Sequence, residues 1–137
     1  MRTSRSRTSC RRGTNWVSDV AALTSPKTYA GLAAFQAIDA VACAIPISPI
    51  TKSLDSLGVP QDIRWVLPSA KAASVIGLLS AGRAPALARL TTAMLTLYFM
   101  LAVGAHLRVR DKIVNTIPAA SFLALYAVMT AKGPDRD

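Results

Sequence analysis

Two long stretches without a formal charge constrain this chain more than any other feature of its sequence. They run from Leu90 to Leu107 and from Ile113 to Ala131. Each is close to the roughly twenty residues that a helix needs to cross a lipid bilayer. A soluble bundle would carry charged residues along the outer face of every helix. The sequence therefore predicts helices that span a membrane.

Two further apolar stretches bring the predicted spans to four, at about residues 28–47, 63–81, 87–107 and 113–131. Between the first two spans, Ile50, Leu54 and Leu57 recur at helical spacing, which predicts a short amphipathic helix at the membrane interface. Open strands are excluded within lipid, because their backbone groups would lack hydrogen-bond partners. The predicted fold class is an all-α integral membrane four-helix bundle with a short amphipathic helix between spans 1 and 2.

The predicted membrane domain, residues 27–132, is flanked by a basic arm (1–26) and a polar tail (133–137). We expect the arm to lack regular structure over most of its length, although Trp16, Val17, Val20 and Leu23 have the spacing of a short interfacial helix. The formal net charge is +9, but the basic residues form the arm and flank the spans. Since they build no folded basic face interleaved with aromatic residues, nucleic-acid binding is not expected.

The distribution of basic residues predicts the orientation. An even number of spans places both termini on one side, and that side carries ten Lys and Arg residues against five on the other. The positive-inside rule therefore predicts cytoplasmic N and C termini. The prediction depends on the arm, because without its five arginines each side carries five basic residues.

Asp39 and Lys71 are the charged residues placed well inside predicted spans. A charge at the centre of a bilayer costs at least about 2.5–3.5 kcal/mol, and antiparallel spans put these two at similar depth, so we expect them to pair. Gln36 and Cys43 share the helix face of Asp39 and extend it into a polar seam. The seam is interpreted either as a structural ion pair or as a proton relay or binding site for a small anionic or quinone-like ligand.

His106, the single histidine, stands at the outer end of the third span and is a candidate to join the seam there. The charged residues around it and at the start of the second span are interpreted as interface anchors, whose side chains reach the lipid headgroups. The predicted anchors are Arg64, Arg108, Arg110, Asp111 and Lys112.

The sequence contains no complete catalytic set. Cys10 and Cys43 form no metal-binding or redox pair, and a lone histidine excludes haem held by two histidines. No nucleophile motif, GxGxxG or P-loop occurs. We therefore expect no catalytic residues, no metal and no cofactor, and the chain is not expected to be an enzyme on its own.

The segments GVPQDIRWVLPSAKAASVIGLLSAGR and LARLTTAMLTLYFMLAVGAHLRVRD resemble the DoxX-like family of small bacterial membrane proteins. The resemblance covers residues 28–131 and implies a four-helix bundle in the bacterial inner membrane. Some relatives are associated with membrane redox complexes, including thiosulfate:quinone oxidoreduction and thiol-linked oxidative-stress assemblies.

The resemblance predicts a non-catalytic subunit or anchor of a membrane complex, with a redox or quinone link. The expected partners are the lipid bilayer, a membrane or peripheral redox protein, and further copies of the chain. One alternative is a proton or small-solute transporter that uses Asp39 and Lys71. A quinone-using enzyme is the least favoured alternative, because the sequence shows no second redox-active group.

Overall fold

The computed structural model describes residues 15–45 and 47–135, and over these residues the chain is helical with short connections. The helices in chain order are α1 (Asn15–Thr24), α2 (Pro26–Ala44), α3 (Ser48–Ser56), α4 (Val66–Leu79), α5 (Pro85–Arg108) and α6 (Ile113–Lys132). Short 3₁₀ turns at Gln61–Ile63 and Ser80–Gly82 precede and follow α4. The predicted all-α class is confirmed.

Three helical segments are long and apolar enough to cross a bilayer: Gln61–Gly82, which contains α4, then α5 and α6. Helix α2 meets the same criteria only together with α3, which continues it after a bend of 82°. The predicted membrane bundle is therefore built from three such segments and the bent α2–α3 pair. In α3 no residue is buried.

In the described part of the arm, Asn15–Thr24 forms α1, and this helix contains the four apolar residues whose spacing indicated a short helix. The helix is held in place by contacts with α2 and α6, and the backbone N–H of Asp135 donates to the Thr24 carbonyl at 3.0 Å. Residues 1–14, with Cys10 and the five arm arginines, lie outside the described residues. So do Pro46 and the tail residues 136–137.

The packing order of the main helices is α2 on α4, α4 on α5 and α5 on α6. Large side chains connect α2 to α6: the rings of Phe35 and Phe122 stack with centroids 4.8 Å apart. Phe122 also stacks on Phe99 of α5, at 5.3 Å. At Gly77, α4 approaches α5 so closely that an added Cβ would overlap the side chain of Thr91. A residue with a side chain at this position would therefore force the two helices apart.

The outward faces of the helices are aliphatic. Exposed fractions reach 71% for Ile38, 71% for Ile76, 69% for Leu101 and 77% for Ile113. Soluble monomers rarely expose contiguous apolar surface of this kind, whereas a hydrocarbon solvent accommodates it. The outer surface therefore fits a chain surrounded by lipid.

Candidate functional site

An ion pair joins α2 and α4 inside the bundle. The Lys71 ammonium donates to Asp39 Oδ2, and the lysine residue is 8% exposed. The sulfur of Cys43 lies 3.4 Å from Lys71 Nζ and 3.9 Å from Asp39 Oδ1. The structure therefore brings together three of the residues that the sequence placed in one seam.

Gln36 lies on the same face of α2 but contacts a different helix. Its Nε2 donates to the hydroxyl of Tyr126 on α6 at 2.8 Å. The Gln36 residue is fully buried, and its Oε1 has no hydrogen-bond partner among the described residues. Gln36 thus extends the polar interior from the ion pair towards α6.

Tyr98 and Tyr126 belong to this polar interior and were not among the sequence-based candidates. Tyr98 lies beside Lys71, whose Nζ is 5.8 Å from the ring centroid. Both tyrosines stand in the middle of uncharged spans, where a phenol needs a polar neighbour when it is buried. That requirement is the sequence signal that could have identified them.

A cavity of about 420 Å³ opens between α4 and α5 beside Lys71. Its polar lining comes from Lys71, Ser74, Thr91 and Tyr98, and the rest is aliphatic. A second, more open groove of about 680 Å³ lies between α2 and α4, with Cys43 and Arg64 in its wall. The ion pair is therefore flanked by space on both sides of α4.

His106 is engaged at the end of α5. Its Nδ1 lies 2.7 Å from Asp111 Oδ2 and donates to it, because an ionised carboxylate only accepts hydrogen bonds. Asp111 Oδ1 accepts from the Asn115 side chain at 3.0 Å and from the Lys112 backbone N–H at 2.7 Å. These bonds, that of Asn115 first, hold the pKa of Asp111 below its ordinary value. His106 therefore makes its described side-chain contact within the α5–α6 turn.

The α5–α6 turn has a fixed backbone. Asp111 N–H donates to the His106 carbonyl at 3.0 Å and Arg110 N–H to the Leu107 carbonyl at 3.1 Å, the pattern of a Schellman motif. The left-handed position, which glycine usually takes, is occupied by Arg110 with φ 50°. The charged side chains of the turn are therefore presented in a defined arrangement.

Two other predicted anchors, Arg64 and Arg108, lie in different surroundings. Arg64 is bound: it donates to Asp55 Oδ1 at 2.6 Å and to the Val59 carbonyl at 3.0 and 2.8 Å. Arg108 approaches Gly58, where an added Cβ would lie 3.5 Å from its Nη2. Arg64 therefore holds the α3–α4 connection, while Arg108 lies against it.

Within the described residues, no group of three or more His, Cys, Asp or Glu side chains is placed to hold a metal ion.

Aliphatic outer faces around a partly buried ion pair define a multi-pass helical membrane protein with a polar site between its helices. The DoxX-like family model matches residues 28–129, from the first turn of α2 to the last turn of α6, and the chain belongs to this family. The resemblance seen in the sequence is thereby confirmed. No curated protein and no solved structure gives a significant match.

Proposed function

We propose that this DoxX-like protein is a non-catalytic subunit or anchor of a bacterial inner-membrane complex, with a redox or quinone link. The observation that supports docking is the exit cluster, which we define as Arg108, Arg110 and Lys112. Over residues 15–45 and 47–135, none of these three side chains has a hydrogen bond or ion pair. The acid beside them, Asp111, is already engaged by His106 and Asn115.

Unpaired cations on a fixed turn favour a partner with acidic groups. Complementary charge contributes mainly to the rate and specificity of association. The redox or quinone link comes from family membership and not from the geometry of the turn. With cytoplasmic termini, the exit cluster lies on the opposite, periplasmic side, and the acidic surface of the partner would face that side.

The test is co-purification of the full chain in mild detergent. We expect a stoichiometric partner with the native chain and its loss when Arg108, Arg110 and Lys112 are all replaced by glutamine. A charge-matched control replaces Lys27, Arg83 and Lys132, three basic residues at the opposite end of the bundle, with glutamine. Retention of the partner in the first variant, or a chain that purifies alone, contradicts the docking proposal.

Orientation is tested separately by labelling intact cells with a membrane-impermeant maleimide. In a background without the native cysteines, Lys112→Cys is expected to react and Lys132→Cys to react only after the cells are opened. The reverse pattern would place the termini in the periplasm and the exit cluster in the cytoplasm.

A second candidate function is proton or small-solute transport, which the formed Asp39–Lys71 pair favours because intramembrane ionisable groups commonly line such pathways. The test is flux into liposomes that contain the purified chain. Transport requires that the double variant Asp39→Asn/Lys71→Met abolish the flux. An unchanged flux removes this candidate.

A further inference from the structure

The cavity between α4 and α5 is polar at the ion pair and aliphatic elsewhere. Lys71 and Tyr98 supply polar groups, and Leu90, Met94 and Leu101 belong to the aliphatic wall. These three are 58%, 58% and 69% exposed, so the aliphatic wall lies on the face that meets lipid. A volume of about 420 Å³ falls within the usual range for pockets that bind small molecules.

The geometry of the two helices explains why this space exists. At Gly77 the backbone of α4 approaches α5 so closely that a side chain there would overlap Thr91. Towards Lys71, α4 presents the small residues Ala70, Ala73 and Ser74 to the cavity, whereas α5 presents Met94 and Tyr98. Small side chains opposite large ones leave a gap instead of an interdigitated contact.

At the Lys71 end of the cavity, the described hydrogen bonds leave the Tyr98 hydroxyl available as a donor. The Lys71 ammonium donates to Asp39 and to the Cys43 sulfur, and its Nζ lies 5.8 Å from the centroid of the Tyr98 ring. The hydroxyl of Tyr98, which lines the cavity, has no hydrogen-bond acceptor among the described residues. A donor beside an ammonium is available for an acceptor on a molecule in the cavity.

The charges at this end discriminate between ligand classes. Asp39 already neutralises Lys71. An anionic ligand would therefore be repelled by the Asp39 carboxylate while it lost its own hydration. A neutral carbonyl oxygen accepts the free Tyr98 hydrogen without adding charge. We propose that the α4–α5 cavity binds a neutral, lipid-soluble carbonyl compound, with its oxygen at Tyr98 and its apolar part between Met94 and Leu101. This site is independent of docking at the exit cluster.

The experiment uses the full chain in lipid nanodiscs with a photoreactive ketone, 4-octylbenzophenone. We expect saturable labelling of α5 that includes Met94. Two competitors separate the chemistries: 4-octyldiphenylmethane lacks the carbonyl, and 4-octylbenzoate carries a charge. Unlabelled 4-octylbenzophenone should compete at least fivefold better than the diphenylmethane or the benzoate.

Three variants locate the site. Tyr98→Phe keeps the ring and is expected to weaken ketone binding at least fivefold. Met94→Trp should block labelling by filling the cavity, whereas Ile76→Trp, on an exposed position outside the cavity lining, should leave labelling unchanged.

Non-saturable labelling, or labelling unaffected by Tyr98→Phe and Met94→Trp, would show that lipid chains fill the cavity and would overturn the proposal. Stronger competition by the benzoate would overturn it in favour of an anion. Neither result would affect partner docking through the exit cluster.

Discussion

The Asp39 carboxylate on α2 and the Lys71 ammonium on α4 neutralise each other across the contact between these two helices. The acid side chain is 28% exposed and the lysine side chain 10% exposed, so the pair has little access to solvent. In such surroundings an unpaired charge costs far more than a matched pair. The pair therefore favours one register of α2 against α4.

Removing one partner should destabilise the bundle more than removing both. We expect Lys71→Met to cost about 3 kcal/mol, the low end for breaking a buried pair, because a carboxylate is left uncompensated. The double variant Asp39→Leu/Lys71→Met should recover most of this loss. The measurement is a double-mutant cycle of unfolding in detergent, with Lys132→Met as the control. A loss in the double variant equal to the sum of the losses in Asp39→Leu and Lys71→Met would rule out coupling between the two residues.

The close contact of α4 with α5 gives a second expectation. Gly77→Ala should lower the free energy of unfolding by about 1–3 kcal/mol, because the new methyl group overlaps Thr91 and the helices must move apart. The compensating variant Gly77→Ala/Thr91→Ala should restore part of the loss. Gly104→Ala on α5 is the matched control, since an added Cβ there has nothing within 4 Å. It should be neutral or stabilising by up to about 1 kcal/mol, as expected for alanine replacing glycine within a helix.

The sequence was sufficient to predict the class of fold and the pairing of Asp39 with Lys71. Both follow from the cost of charge in lipid, which acts on composition and on depth along a helix. The position of Tyr98 beside Lys71 was not predictable in the same way, because it depends on how α5 is rotated against α4. The Asp111 partner of His106 was also missed, since it requires a tight turn with Arg110 in the left-handed region.

Gln36 and Tyr126 form a buried hydrogen bond, and the Gln36 Oε1 beside it has no partner among the described residues. Removing one or both side-chain groups should therefore affect stability differently. Tyr126→Phe should cost about 1–3 kcal/mol, because it leaves the Gln36 amide without its partner. Gln36→Leu/Tyr126→Phe should be at least as stable as Tyr126→Phe, since it also removes the unpaired Oε1. Thermal unfolding of the single and double variants in the same detergent measures this. A double variant less stable than Tyr126→Phe would mean that Gln36 has a further stabilising contact.

Asp111 should make the stability of the α5–α6 turn depend on pH. Its hydrogen bonds with Asn115, His106 and the Lys112 backbone favour the ionised carboxylate and lower its pKa from the ordinary value of 3.8. A lowered pKa in the folded chain means that the stabilisation is fully present above about pH 4 and is lost as the pH falls further. Asp111→Asn should therefore be less stable than the native chain at pH 7, with the difference shrinking at acidic pH.

The measurement is thermal unfolding of both proteins in detergent between pH 3 and pH 7. Asp62→Asn is the control, because Asp62 has no described side-chain partner and its replacement should give no such pH-dependent difference. The Arg110 backbone offers an internal check, since Arg110→Gly keeps the turn and should preserve the pH dependence of Asp111. A difference between Asp111→Asn and the native chain that stays constant down to pH 3 would show that the carboxylate acts through its shape and not through its charge.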